Sequence, residues 1–196
     1  MRTFTRARPL DADAIFHMFE EAKRVGRANG TTDWDESYPA REFIDEDIAR
    51  GELWVLAEDG QVIAAISLLE EDFENGLDAG WTDVPNCVLA RLCVDPKLQG
   101  QGIGAEMMRR ISQEAVRQGF RATRHLASVY NPAALHLYRK LGYRELRQVC
   151  FFGSDFIAFE LLIDPVEAKP APEGAAFQAA CPGACPDAWP NDQPGI

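Results

Sequence analysis

The amino-acid sequence predicts an α/β fold built on one mixed sheet. Three observations carry that reading. Strand-like and helix-like apolar patterns follow one another in the order β-α-α-β-β-β-α-β-α-β-β. Asp59-Gly60 stands between two strand-like runs, which is a strong hairpin signal. Cys87 to Val94 runs like a strand into a loop with three glycines in five residues, Gly100, Gly102 and Gly104, and the pattern then turns helical.

The elements follow in order. Thr3 to Arg8 reads as a first strand. Leu10-Asp11-Ala12-Asp13 opens a helix with Ile15, Met18, Phe19, Ala22 and Val25 at helical spacing, and Gly26 to Gly30 ends it. A loop with Trp34, Tyr38 and Pro39 leads to a second helix, Ala40 to Arg50, with Phe43, Ile44 and Ile48 on one side. Glu52 to Glu58 and Gln61 to Glu70 form the hairpin around Asp59-Gly60. Residues 71–86 are acidic and turn-rich and read as a loop. The fourth strand is Cys87 to Val94. The following helix reaches about Gln118, with Ile103, Met107, Met108, Ile111, Ala115 and Val116 apolar. Thr123 to Val129 is a fifth strand. After a short helix, Arg144 to Phe152 and Phe156 to Ile163 pair around Gly153-Ser154.

A chain of 196 residues, 46% of them hydrophobic, fits one domain with a substantial core. That domain is expected over residues 1–163. Residues 164–196 hold seven of the twelve prolines and little apolar periodicity, so a disordered tail is expected there. Phe177 or Trp189 docking on the domain is a weaker alternative. No apolar run is long enough for a membrane span, and the N-terminus lacks the apolar centre of a signal peptide. The expected compartment is the cytoplasm. A net charge of −11 speaks against nucleic acid as a partner. It would draw a cationic amine from a distance, although solubility alone accounts for it. The five cysteines are an odd number, and three lie in apolar strand-like segments, so buried reduced thiols are expected rather than a disulfide framework. Cys181 and Cys185 lack the second Cys or His pair of a zinc site, and no metal is expected.

The glycine loop points to chemistry. Glycine admits positive φ and close approach of backbone to a ligand. The first turn of a helix leaves N–H groups without partners and carries partial positive charge. Together they make a cradle for a pyrophosphate. No Lys-Ser or Lys-Thr pair follows, so the loop is not a P-loop. The glycines alternate, so it is not the dinucleotide fingerprint either. The Gln-x-x-Gly-x-Gly spacing at Gln99, Gly102 and Gly104 resembles motif A of the GNAT superfamily of N-acetyltransferases. The plain alternative is an ordinary strand-to-helix turn.

A second element lies about 30 residues on, far enough for a helix plus one strand. Asn131 suits a helix N-cap, Pro132 the first helical position and Gly142 the position past the end. Asn131 to Tyr143 is similar to the family's second signature, an Asn, small residues, then Leu-Tyr-x-Lys-x-Gly-Tyr.

The resemblance covers about residues 2–163. It implies a mixed, mostly antiparallel sheet with flanking helices and a splay between strands 4 and 5, where the acyl-pantetheine arm lies. It implies acetyl-CoA as cosubstrate, held by Gln99, Gly100, Gln101, Gly102, Ile103 and Gly104, by backbone groups of Leu92, Cys93 and Val94, and by Asn131 and Lys140. Lys97 and Arg139 are further candidates for the phosphates. Acyl transfer to an amine needs the amine deprotonated, the thioester carbonyl polarised and the leaving thiolate protonated. Tyr138 is the candidate general acid, since a phenol is protonated at neutral pH. Read without the motif, it is a core residue on an amphipathic face.

Arg91-Leu92-Cys93-Val94 with Trp34 and Tyr38-Pro39 resembles a bacterial subgroup acting on small molecules. Trp34 and Tyr38 would then line the acceptor pocket and meet a cation with their rings, or else plug the core. Two departures stand out. Gln99 and Gln101 are neutral where many members carry a basic residue, and the fourth strand holds no carboxylate where many carry a base. Glu70, Glu71 and Asp83 are the alternatives for the base. Cys93 as a nucleophile lacks a legible His and acid beside it. The leading expectation is an acetyl-CoA-dependent N-acetyltransferase acting on a small-molecule amine. The alternatives are a coenzyme-A-binding sensor or interaction module without turnover, and a protein-directed acetyltransferase. A homodimer is left open.

Overall fold

The computed structural model describes residues 1–31, 34–70 and 77–163. Among these the order is β1 (Arg2–Arg6), α1 (Ala12–Ala28), α2 (Arg41–Arg50), β2 (Leu53–Glu58), β3 (Gln61–Leu69), β4 (Asn86–Val94), α3 (Ile103–Arg117), β5 (Ala122–Ser128), α4 (Pro132–Lys140), β6 (Arg144–Phe151) and β7 (Ser154–Leu162). The expected proline-rich tail, with Cys181, Cys185, Phe177 and Trp189, lies outside the described residues, as does Glu71.

The strands form one sheet in the order β1-β2-β3-β4-β5-β7-β6. Every neighbouring pair is antiparallel except β4 and β5, which are parallel. The mixed, mostly antiparallel sheet is as expected. α1 and α2 cover one face, where Ile15, Phe19 and Ile44 pack with Leu53, Val55 and Ala65. α3 and α4 cover the other, where Ile103, Met107, Met108 and Ile111 meet Leu56, Ile66 and Leu68. α3 is buried at the positions its helical period marks, but Val116 is 44% exposed, one residue off the buried stripe.

Two strand ends fall two residues from expectation. β1 stops at Arg6 because the Arg8 amide turns to the Asp11 carboxylate (2.9 Å) and a short 3-10 turn, Pro9–Asp11, follows. β7 starts at Ser154, earlier than Phe156, because Phe152 and Gly153 alone make the hairpin turn, both at positive φ. Asp59 and Gly60 (φ 49° and 84°) make the same kind of turn.

Candidate coenzyme and acceptor site

The ladder between β4 and β5 is short. It joins Asn86 to Ala122, Cys87 to Thr123 and Val88 to Arg124, and then stops. Beyond it β4 pairs only with β3, and β5 only with β7. The two parallel strands therefore part, as the resemblance implied, and β4 runs on to Val94 without β5 beside it in the ladder. Leu92 and Val94 turn their side chains to the α3 face, and Cys93 turns to the α1 face.

A bulge lies in the parted stretch of β4. Ala65 pairs with Cys93 and Ser67 with Ala90, so β4 carries one extra residue there. Arg91 takes it up at φ 56°.

The glycine loop closes over the open end. Asp95 caps a 3-10 turn, Pro96–Leu98, through Lys97 N (2.9 Å), and Gln99 continues extended. Gly100 and Gly102 sit at φ 79° and 78°, which β-carbon-bearing residues adopt only with strain. Gly102 is the N-cap of α3, and no side chain caps that end. The first-turn amides of α3 are thus left to a ligand or solvent. Glu106, in that first turn, is tied to Arg2 (2.8 Å) and Arg110 (3.0 Å), and the Arg2 bond holds its carboxyl below the usual range. Its charge is therefore compensated before any anion arrives. Gly104 serves differently. A Cβ there would stand 3.3 Å from Leu137 Cδ2 and 3.7 Å from Val94 Cγ2, so glycine lets α3 approach α4. The two sequence signatures meet at this contact.

In α4, Asn131 Oδ1 accepts from Ala134 N (3.1 Å), the expected cap. Tyr138 is buried and belongs to the α3/α4 core, with its ring 3.9 Å from that of His125 on β5. The candidate phosphate cations are exposed, and Arg139 is engaged with Glu145 (2.7 Å). Gln99, Gly100 and Gln101 are exposed as well, while Ile103 is core.

On the opposite face Trp34 leans on Phe19 (ring centroids 5.3 Å) and joins the α1 core, while Tyr38 packs edge-on to Phe43. Arg91 Nη1 donates to the Tyr38 hydroxyl at 3.4 Å. The rest of the Arg91 guanidinium grips Asp47 of α2 from two nitrogens (2.6–3.0 Å), and Ser67 of β3 donates to the same carboxylate at 2.5 Å. Tyr38 is thereby joined to the bulge. Trp34 is placed on the core.

Carboxylates that the sequence did not single out turn up here. Asp47 is one. Glu160 on β7 is another, wholly buried and directly across from Arg124. It accepts from Thr82 N (2.9 Å), Thr82 Oγ1 (2.6 Å), Arg124 (3.2 Å) and Arg144 (2.7 Å). So many donors make it an anchor for the segment before β4 rather than a free base. Glu70 lines a cavity of about 250 Å³ with Arg6, Arg50, Trp54 and Gln118, at the end of the sheet where β4 begins. Asp83 is exposed. Burial pushes the Cys87 thiol up to about 12 and raises Cys93 as well, which disfavours either thiolate. Among the described residues no cluster of three or more His, Cys, Asp or Glu is placed to hold a metal ion, and no helix is long and apolar enough to cross a membrane.

A mixed sheet that parts between two parallel strands, with an uncapped helix terminus at the open end, defines an acyltransferase fold. The model of the acetyltransferase (GNAT) family matches residues 12–143, and the chain belongs to that family. Solved structures share the architecture. A GNAT-family acetyltransferase of Streptococcus agalactiae is 23% identical, with a TM-score of 0.73 over 82% of this chain and 95% of that one. YncA of Salmonella typhimurium, solved with its cofactor acetyl-CoA, is 22% identical, with a TM-score of 0.63 over 87% and 99%. The ribosomal-protein-S18-alanine N-acetyltransferase of Escherichia coli is 21% identical, with a TM-score of 0.60 over 90% and 100%.

Proposed function

We propose that this protein transfers an acetyl group from acetyl-CoA to the primary amine of a small molecule, by direct attack of the amine on the thioester. The observation that carries the proposal is the uncapped N-terminus of α3 at the open end of the β4–β5 split, in a chain of the acetyltransferase family. Bound there, coenzyme supplies the acyl group in activated form. The amides from Gly102 to Gly104 hold the diphosphate through the helix terminus, with Gln99, Gly100, Gln101 and Ile103 shaping the loop and Lys140 adding charge. The β4 edge at Leu92, Cys93 and Val94 offers backbone groups to the pantetheine, and Asn131 adds a polar contact beyond its cap. Tyr138 donates the proton that the departing sulfur needs. Trp34 and Tyr38 border the acceptor pocket, as in the bacterial small-molecule subgroup.

Calorimetric titration with acetyl-CoA tests the coenzyme half. Wild type should bind, and folded Gly102→Glu, which crowds and repels a diphosphate, should not. An amine screen tests the rest. Tyr138→Phe should lower kcat about 100-fold while the dissociation constant of acetyl-CoA stays put. Equal binding by the Gly102 variant would remove the loop from the site.

A further inference from the structure

His125 is a buried imidazole that the reading above does not use. It is 3% exposed, and neither ring nitrogen has a hydrogen-bond partner. Its position is specific. It is the first residue of β5 after the ladder with β4 ends at Val88 and Arg124. It faces α3 and α4, against the rings of Tyr138 (3.9 Å), Tyr143 (4.7 Å) and Phe159 (5.5 Å). Its strand neighbours on the same face are satisfied, since Thr123 shares a hydrogen bond with the Tyr143 hydroxyl at 3.0 Å.

A buried polar group without a partner is costly, and a leucine of similar bulk would fill this place without that cost. A buried polar group left unpaired in a native core calls for an explanation, and a ligand-bound state that pairs it supplies one. Burial holds this ring neutral, so it carries one N–H donor and one bare acceptor nitrogen. The state that would satisfy it is the one in which something polar enters the apex of the β4–β5 split.

We propose that His125 is a coenzyme-contacting residue, donating its ring N–H to a carbonyl oxygen of the acyl-pantetheine arm at the apex of the split, beside Tyr138. The proposal rests on the coenzyme reading above and deepens it. No bond is made or broken at His125. It fixes the arm against the tyrosine, and its value is realised only when coenzyme is bound.

The consequence is a pair of effects of opposite sign. His125→Leu removes the orphaned nitrogens, so the free protein should melt at a higher temperature. The same variant should bind acetyl-CoA about tenfold more weakly, the worth of one hydrogen bond made in the complex. His125→Gln keeps a donor and should recover most of the affinity without the gain in melting temperature. Side-chain 15N resonances of histidine-labelled wild type give a readout apart from turnover. The His125 N–H nitrogen should shift on addition of coenzyme A, while His17 and His136 serve as controls. Unchanged affinity in both variants, a joint loss of stability and affinity in His125→Leu, or an unmoved His125 resonance would each overturn the assignment. If wild type fails to bind acetyl-CoA at all, the coenzyme reading falls and takes this one with it. If wild type binds and the variants match it, only the role of His125 falls.

Discussion

On the α3/α4 face of the sheet, Met107, Met108 and Ile111 meet Leu56, Ile66 and Leu68 with scarcely a charge among them. On the α1/α2 face, beside an apolar core of its own, lie Arg91 with Asp47 and Arg124 with Glu160, all with buried side chains. The first region is held by shape and removal from water, and its losses should be graded by volume. The second depends on matched charges, and loss of one partner strands the other. The difference also tracks expected use. The coenzyme is assigned to a groove rimmed by backbone, whereas the acceptor is assigned to a side fixed by ion pairs.

The largest expected effect breaks a charge pair. Asp47→Ala leaves the buried Arg91 without its carboxylate and should cost about 3–5 kcal/mol by urea unfolding. The double variant Asp47→Leu/Arg91→Met should regain most of that. A cost below about 1 kcal/mol, the range of exposed pairs, would erase the contrast between the faces. A smaller loss belongs to the other face. Met107→Ala should cost about 2–3 kcal/mol, near the lower end for a buried truncation, with an unchanged denaturant slope.

The smallest effect sharpens the comparison through pH. Burial pushes His125 down to about 3. As pH falls below the ordinary histidine value, about 6.5, the unfolded chain takes up a proton that the folded one refuses. Its contribution to stability therefore declines from about pH 6.5 towards pH 3 and is level above that window. The groups facing it, Tyr138, Tyr143 and Thr123, are uncharged there. His125→Leu lacks this slope, so the difference in Tm between variant and wild type should widen in acid. Carboxylates such as Asp11, held low by its bond to Arg8, lose stability in acid in both proteins and cancel from the difference.

The order of elements was legible because the apolar periods are clean and both hairpins carry turn residues suited to positive φ. The two signatures were legible because glycine at 100 and 102 answers a backbone requirement, and Asn131 a capping one. The charged network on the α1/α2 face was not. Arg91, Asp47 and Ser67 are far apart in sequence, and no local pattern announces that three elements bring them together. The bulge hid itself in the same way. Cys87 to Val94 reads as one unbroken strand, yet the extra residue at Arg91 flips the alternation, so that Leu89 and Leu92 share a face. Glu160 drew no attention, because burial by the segment around Trp81 and Thr82 has no signature at position 160. His125 escaped notice since an orphaned nitrogen is a property of surroundings.

The contact between Gly104 and Leu137 binds the two signatures into one mechanical unit. A methyl group at residue 104 would crowd the Leu137 side chain at 3.3 Å, so a larger residue there requires residue 137, or the short helix that bears Tyr138, to give way. The glycine loop proposed for the diphosphate and the tyrosine proposed as proton donor are therefore not free to drift apart. Positions 104 and 137 should change together among relatives, as hinge and pin.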